Sequence, residues 1–104
     1  MQIGEFQDFV DGWILEHGGY WPVASNLARL IEEVGELARH VNARAGLKAV
    51  PEGGEDAQGE IGDLLFVLAA IARQMDVDLE QAAAAVIAKQ RARGCREPAA
   101  GSQR

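Results

Sequence analysis

The stretch AQGEIGDLLFVLAAIARQM, residues 57–75, decides the fold of this 104-residue chain. Between positions 64 and 72 its apolar residues cover every side of a helical wheel, and such a helix is normally surrounded by other protein. Near its start, Glu60 and Asp63 are three residues apart, so both carboxylates project from one face. The stretch therefore predicts a buried helix with an acidic end.

A second acidic cluster lies in the preceding apolar-periodic segment, residues 22–45. At helical pitch, Glu32, Glu33 and Glu36 occupy neighbouring positions on one side of that helix. If the two helices pack together, four or five carboxylates converge. Two unit charges about 5 Å apart repel by roughly 3 kcal/mol at an effective dielectric of about 20, so the cluster needs a cation or a proton.

The remaining periodicity predicts two more helices. Gly18 and Gly19 end the first helix, and Asp78 with Gln81 has the spacing of a capping box at the start of the last. We expect an all-α, four-helix bundle, with one domain over residues 1–93 and a disordered tail over 94–104. The predicted helices lie at about 3–17, 22–45, 57–75 and 78–93.

Composition indicates self-association and excludes several partners. Much of the 48% hydrophobic fraction is alanine, and a small alanine-rich bundle often completes its core by forming an oligomer. The net charge of −6, without a basic stripe, argues against a nucleic-acid polymer. The longest apolar run is too short to span a bilayer, and Cys95 is the only cysteine, so we expect no membrane partner and a cytoplasmic location.

The first acidic cluster alone is also compatible with a solvated helix face. The second cluster favours a metal site, because Asp63 shares a flank with Phe66 and Val67 and has no basic residue three or four positions away on its helix. No Glu-x-x-His motif occurs, which excludes the usual di-iron bundle. Ligation by oxygen alone suits Mg²⁺, with Mn²⁺ as a substitute.

Each acidic cluster also contains a glycine, Gly35 or Gly62. Glycine in a helix interior costs about 1 kcal/mol relative to alanine. Two such costs at matching places predict a close approach of the two helices.

The order Glu-Glu-x-x-Glu, loop, Glu-x-x-Asp resembles the MazG-like nucleoside triphosphate pyrophosphohydrolases. The flanking segments GYWPVASNLARLIEEVGELARHVN and EIGDLLFVLAAIARQMDVDLEQAAAAVIAKQRAR extend the resemblance to about residues 1–93. It implies Mg²⁺-dependent hydrolysis of an NTP or dNTP to the monophosphate and pyrophosphate, including a house-cleaning role on non-canonical nucleotides. It also implies a homodimer or homotetramer.

The resemblance assigns roles residue by residue. It implies that Glu32 binds a further metal ion or orients the attacking water, and that the last helix contacts the nucleotide. Gln90 stands where the family has asparagine in that helix. The residues implied to bind Mg²⁺ are Glu33, Glu36, Glu60 and Asp63, and those implied to contact substrate on the last helix are Lys89, Gln90 and Arg93.

Aromatic residues before the second helix have two interpretations. Trp21, next to Tyr20, is a candidate for stacking on the base, since a base–aromatic stack contributes about 1–3 kcal/mol. The other interpretation is that both rings close one end of the bundle.

Two other functions are compatible with the same residues. One is a non-catalytic helical interaction module stabilised by a structural cation, and the other is a nucleotide sensor that binds without cleaving. Only nucleotide hydrolysis separates the enzyme from both.

Overall fold

The computed structural model describes residues 1–46 and 56–94, and over these ranges the chain is all-α. Four helices follow one another: α1 (Ile3–Glu16), α2 (Val23–Arg44), α3 (Ala57–Gln74) and α4 (Leu79–Ala92). The predicted all-α, four-helix fold is confirmed. Between the second and third helices we expect a loop over residues 47–56; residues 47–55 of it, and residues 95–104 of the predicted tail, lie outside the described residues.

The helix ends follow the local sequence. After α1, Gly18 and Gly19 adopt φ values of 106° and 85°, a region that only glycine enters without strain. The Asp56 carboxylate caps α3 by accepting from Gly59 N at 2.8 Å. Half of the predicted capping box of α4 is present, because Oδ1 of Asp78 accepts from two backbone N–H groups of the first turn. Within the described residues, no bond returns from the Gln81 side chain to Asp78 N.

α3 is the central element. It packs against both α2 and α1, whereas α4 makes its main contact with α1. The buried core is small, and its centre is formed by Val10 of α1 with Ala69 and Ala70 of α3. The partly buried residues packed against it are Phe6, Ile14, Tyr20, Phe66 and Leu79.

The expectation that α3 is surrounded by protein is wrong within one chain. Leu65 and Leu68 remain 43% and 44% exposed, and Ile61 lies open beside them. On α2, Ile31 and Val34 are also exposed. The physical reason is that α4 packs mainly on α1 and does not cover these residues.

The predicted close approach at the two glycines is also wrong within the described residues. A Cβ atom added to Gly35 or Gly62 would meet no atom within 4 Å. α2 and α3 do pack together, but through other residues.

Hydrogen bonds tie α1 to the rest of the fold. The buried Gln7 side chain donates to Val77 O at 2.8 Å and accepts from Leu79 N at 2.9 Å, which fixes the turn before α4. Arg73 of α3 donates to Asp8 of α1 at 2.8 Å. Among the four helices described, none is long and apolar enough to cross a membrane.

Candidate metal and substrate site

Three carboxylates from two helices meet between α2 and α3. Glu33 and Glu36 come from α2 and Glu60 from α3, and one oxygen of each lies within 4.8 Å of the others. The three-residue spacing on α2 places its two glutamates side by side, and helix packing brings Glu60 opposite them. Glu33 is only 9% exposed and Glu60 only 5%.

The proximity of these acids changes their protonation. The pKa of Glu33 is raised from 4.5 to about 7. The largest cause is a hydrogen bond with the Glu36 carboxyl group, followed by burial. The negative charges of Glu36, Asp63 and Glu60 raise this pKa further. Near neutral pH, a proton therefore partly compensates the cluster when no cation does.

Positive charge close to the cluster is limited. Nε of Arg29 lies 3.9 Å from Oε2 of Glu33, and Nε2 of His40 lies 3.9 Å from Oε1 of Glu60. Both separations exceed hydrogen-bond length. Oε2 of Glu60 is fully buried and has no hydrogen-bond partner within residues 1–46 and 56–94.

These features fit a divalent cation with oxygen ligands. A buried carboxylate oxygen without a donor is costly. Ionising Glu33 is also costly, because hydrogen bonding to Glu36, burial and the neighbouring negative charges raise its pKa to about 7. A hard cation such as Mg²⁺ relieves both, because it accepts several carboxylate oxygens at once. Glu33, Glu36 and Glu60 are the residues placed to hold it.

The other predicted acids lie at the edge of this cluster. Asp63 is partly buried and lies within electrostatic reach, since its charge contributes to the raised pKa of Glu33. Glu32 is exposed and lines an open groove of about 1000 Å³ together with Glu33 and Glu36.

Two basic side chains that were not predicted as site residues also line that groove. Arg29 and Arg39 line it, and so does Trp21. The signal was present, because Arg29 precedes Glu33 by four residues and Arg39 follows Glu36 by three, which places each basic group over the acidic face. They give the groove anion-binding groups beside its carboxylates.

An aromatic cavity of about 300 Å³ opens beside the groove. The two share Trp21 and Arg29. The ring of Trp13 stacks on His17 with centroids 3.8 Å apart and meets Phe66 edge-on at 5.8 Å. The lining residues are Trp13, Ile14, His17, Gly19, Tyr20, Trp21, Asn26, Arg29, Phe66, Val67 and Ala70.

The predicted substrate contacts on α4 are not brought to this groove within the chain. Lys89, Gln90 and Arg93 are all exposed, and the residues lining the groove and the cavity come from other elements. Their role in substrate binding stays a prediction.

Comparison with known proteins agrees with this arrangement. Residues 22–95 match the MazG nucleotide pyrophosphohydrolase domain. The uncharacterized protein YpjD of Bacillus subtilis is 44% identical over 82 residues, which are 77% of this chain and 65% of that protein. The chain thus spans about two thirds of the length of that relative.

Two crystal structures are similar to this fold. Bacillus subtilis YpjD superposes with a TM-score of 0.75 at 40% identity, over 86% of this chain and 94% of that one. The Bacillus-conserved MazG protein, a nucleotide pyrophosphohydrolase, superposes with a TM-score of 0.72 at 36% identity, over 86% and 88%.

Proposed function

Because this chain belongs to the family of MazG nucleotide pyrophosphohydrolase domains, we propose that it hydrolyses a nucleoside triphosphate, an NTP or dNTP, to the monophosphate and pyrophosphate. The observation that carries the proposal is the meeting of Glu33, Glu36 and Glu60 within 4.8 Å. A role in removing non-canonical nucleotides is part of the same proposal.

The proposed cofactor is Mg²⁺, with Mn²⁺ as a substitute. Glu33, Glu36, Glu60 and Asp63 would hold it. The raised pKa of Glu33 supports this set, as does Oε2 of Glu60, which has no hydrogen-bond partner among the described residues. When bound, the cation supplies charge neutralisation at the phosphate oxygens and a more acidic water.

The chain's own residues then have separate tasks. Exposed Glu32, which lines the groove, would orient the attacking water or hold a further cation. Arg29 and Arg39 offer guanidinium groups to the phosphates. The proposed reaction breaks the anhydride bond between the α- and β-phosphates. The guanidinium groups of Arg29 and Arg39 stabilise the departing pyrophosphate.

Trp21 is the proposed contact to the base. It lies where the groove meets the aromatic cavity, so a nucleotide whose phosphates lie in the groove can place its base against this ring. The proposed substrate contacts near the end of α4 remain Lys89, Gln90 and Arg93. For them to reach the groove, α4 would have to come from a second copy of the chain or move.

Self-association is proposed on the exposed apolar residues of α2 and α3. Leu65, Leu68, Ile31 and Val34 present side chains that a second copy would bury. A homodimer or homotetramer would complete the small core. We also propose that the protein is cytoplasmic and that its partners do not include a nucleic-acid polymer.

A nucleotide panel tests the proposed reaction. Purified protein is incubated with Mg²⁺ and each common NTP and dNTP, and both pyrophosphate and monophosphate are quantified. We expect stoichiometric release of the two products from at least one substrate, and loss of release in EDTA with recovery in Mn²⁺. Binding of a non-hydrolysable analogue without turnover of any substrate would instead support the nucleotide sensor.

A further inference from the structure

The aromatic cavity contains one buried polar side chain, Asn26, at the first turn of α2. Asn26 is 6% exposed and lines the cavity. A buried amide requires partners for both its oxygen and its NH₂ group. The orientation of the amide therefore decides which of these two groups is left for a ligand.

A backbone carbonyl fixes the direction of this amide. The carbonyl oxygen of Trp21 can only accept, so the Gln74 side chain presents Nε2 to it, at 2.7 Å. Oε1 of Gln74 then faces α2 and accepts from Nδ2 of Asn26 at 2.9 Å. The orientation of Asn26 therefore follows from that of Gln74.

This arrangement leaves the Asn26 oxygen as a hydrogen-bond acceptor without a donor. No hydrogen bond to Oδ1 forms within the described part of the chain, and this oxygen is not among the fully enclosed atoms. Because Asn26 lines the cavity and its Nδ2 is bound to Gln74, Oδ1 is the atom of this amide that is left to accept from a molecule bound there.

Two other polar groups of the cavity, those of His17 and Tyr20, supply no competing donor. Nδ1 of His17 lies 2.7 Å from the carbonyl oxygen of Trp13, so this nitrogen donates and Nε2 is an acceptor in the neutral ring. The Tyr20 hydroxyl donates to Oδ1 of Asp11 at 2.6 Å. Arg29 also lines the cavity, and its Nε lies 3.9 Å from Oε2 of Glu33.

We propose that Asn26 selects nucleotides whose base carries an exocyclic amino group, which donates to Oδ1. This inference rests on the proposed function, because it assumes that the base occupies the cavity. A base with a carbonyl oxygen in the same place would set two acceptors against each other and leave both without a donor. Cytosine is thereby preferred over uracil, and adenine over hypoxanthine.

Monophosphate binding tests the selection without requiring hydrolysis. The protein is titrated calorimetrically with dCMP, dUMP, dAMP and dIMP, which form two pairs that differ in the amino group. We expect the amino member of at least one pair to bind about tenfold more tightly, and the pair that shows it identifies the base class. Ratios within twofold in both pairs would overturn the proposal.

Two variants assign the effect to the oriented amide. In Asn26→Ala, the preference should fall to about one. In Gln74→Leu, Asn26 remains but its amide is no longer held, so the preference should also fall; this variant provides the result if Asn26→Ala does not fold. Gln81→Ala, on the exposed face of α4, should keep the preference of the unaltered protein. A full preference retained by folded Gln74→Leu and Asn26→Ala would contradict the proposed role.

The outcome is separable from that of the proposed reaction. If no monophosphate binds at millimolar concentration while pyrophosphate is still released from triphosphates, the assignment of the cavity to the base is wrong and the hydrolase stands. If the amino preference is found and no triphosphate is hydrolysed, the Asn26 assignment stands and the hydrolase is wrong.

Discussion

One carboxylate oxygen of Glu33 and one of Glu36 lie within 4.8 Å of each other on α2, and hydrogen bonding to Glu36 is the largest cause of the rise in the pKa of Glu33 to about 7. Without a cation, Glu33 keeps its proton to a higher pH than an ordinary glutamate does. The site is therefore built at a cost to the stability of the metal-free chain, and a bound cation removes that cost.

The raised pKa predicts how the stability of the metal-free protein depends on pH. Because the pKa of Glu33 is higher in the folded chain than its ordinary value of 4.5, folding favours its protonated form. The resulting stability is complete below about pH 4.5 and is lost as the pH rises through about 7. In EDTA, the free energy of unfolding measured with urea should therefore decrease between about pH 5 and pH 8.

Glu33→Gln is the matched variant for that experiment. Glutamine keeps the size of the side chain and its hydrogen bond but carries no charge. The variant should show a flatter pH dependence and exceed the unaltered protein in stability at about pH 8, where the glutamate is ionised. An equally steep decrease in both proteins would show that Glu33 does not cause it.

Loss of a predicted metal ligand should abolish hydrolysis and leave the fold intact. Glu36→Gln and Asp63→Asn should each lower kcat/KM by at least about 100-fold, since metal sites lose 10–100-fold even from altered outer-shell partners. Circular dichroism should show unchanged helicity. Asp63→Asn is the more informative change, because Asp63 lies outside the three oxygens that meet within 4.8 Å. Near-normal turnover in this variant would restrict the ligands to Glu33, Glu36 and Glu60.

The position of the phosphates can be tested with two basic residues on different helices. Arg39 lines the acidic groove, whereas Lys89 lies exposed on α4. Arg39→Ala should raise KM about tenfold, as expected for a lost charge-assisted hydrogen bond, and Arg44→Ala on the same helix should not. An effect of Lys89→Ala as large as that of Arg39→Ala would mean that α4 of a second copy, or a moved α4, reaches the substrate.

Exposed leucines of α3 predict the surface of self-association. Leu68→Glu places a charge on a side chain that is 44% exposed in one chain and that would be buried between two. Light scattering should show a smaller particle for this variant, and Gln81→Glu, with the same added charge elsewhere, should retain the original mass. A monomeric unaltered protein would contradict the proposed assembly directly.

Local sequence signals predicted the elements well. Gly18 and Gly19, Asp78 and the apolar periodicity each act within a few residues, so each helix bound agrees with the prediction to within one residue. The convergence of Glu33 with Glu60 was also predictable from the sequence. When each of two packed helices has one acidic face, few arrangements keep the two faces apart. The family predicted from these motifs is confirmed.

Features that depend on distant contacts were not predictable from periodicity. His40 lies near Glu60 only because α2 and α3 pack at one particular rotation. The Trp21–Gln74–Asn26 chain joins two helices through groups that no spacing rule connects. The exposure of Leu65 likewise reflects the placement of α4, since an apolar helix surface does not specify which protein will cover it.

A crystal grown with Mn²⁺ tests the central claim most directly, because manganese gives an anomalous signal and accepts the same oxygen ligands as magnesium. We predict an anomalous peak between α2 and α3, with carboxylate oxygens of Glu33, Glu36 and Glu60 bound to it. Carboxylates turned into solvent, with no anomalous peak among them, would contradict the proposed metal site and the reaction that depends on it.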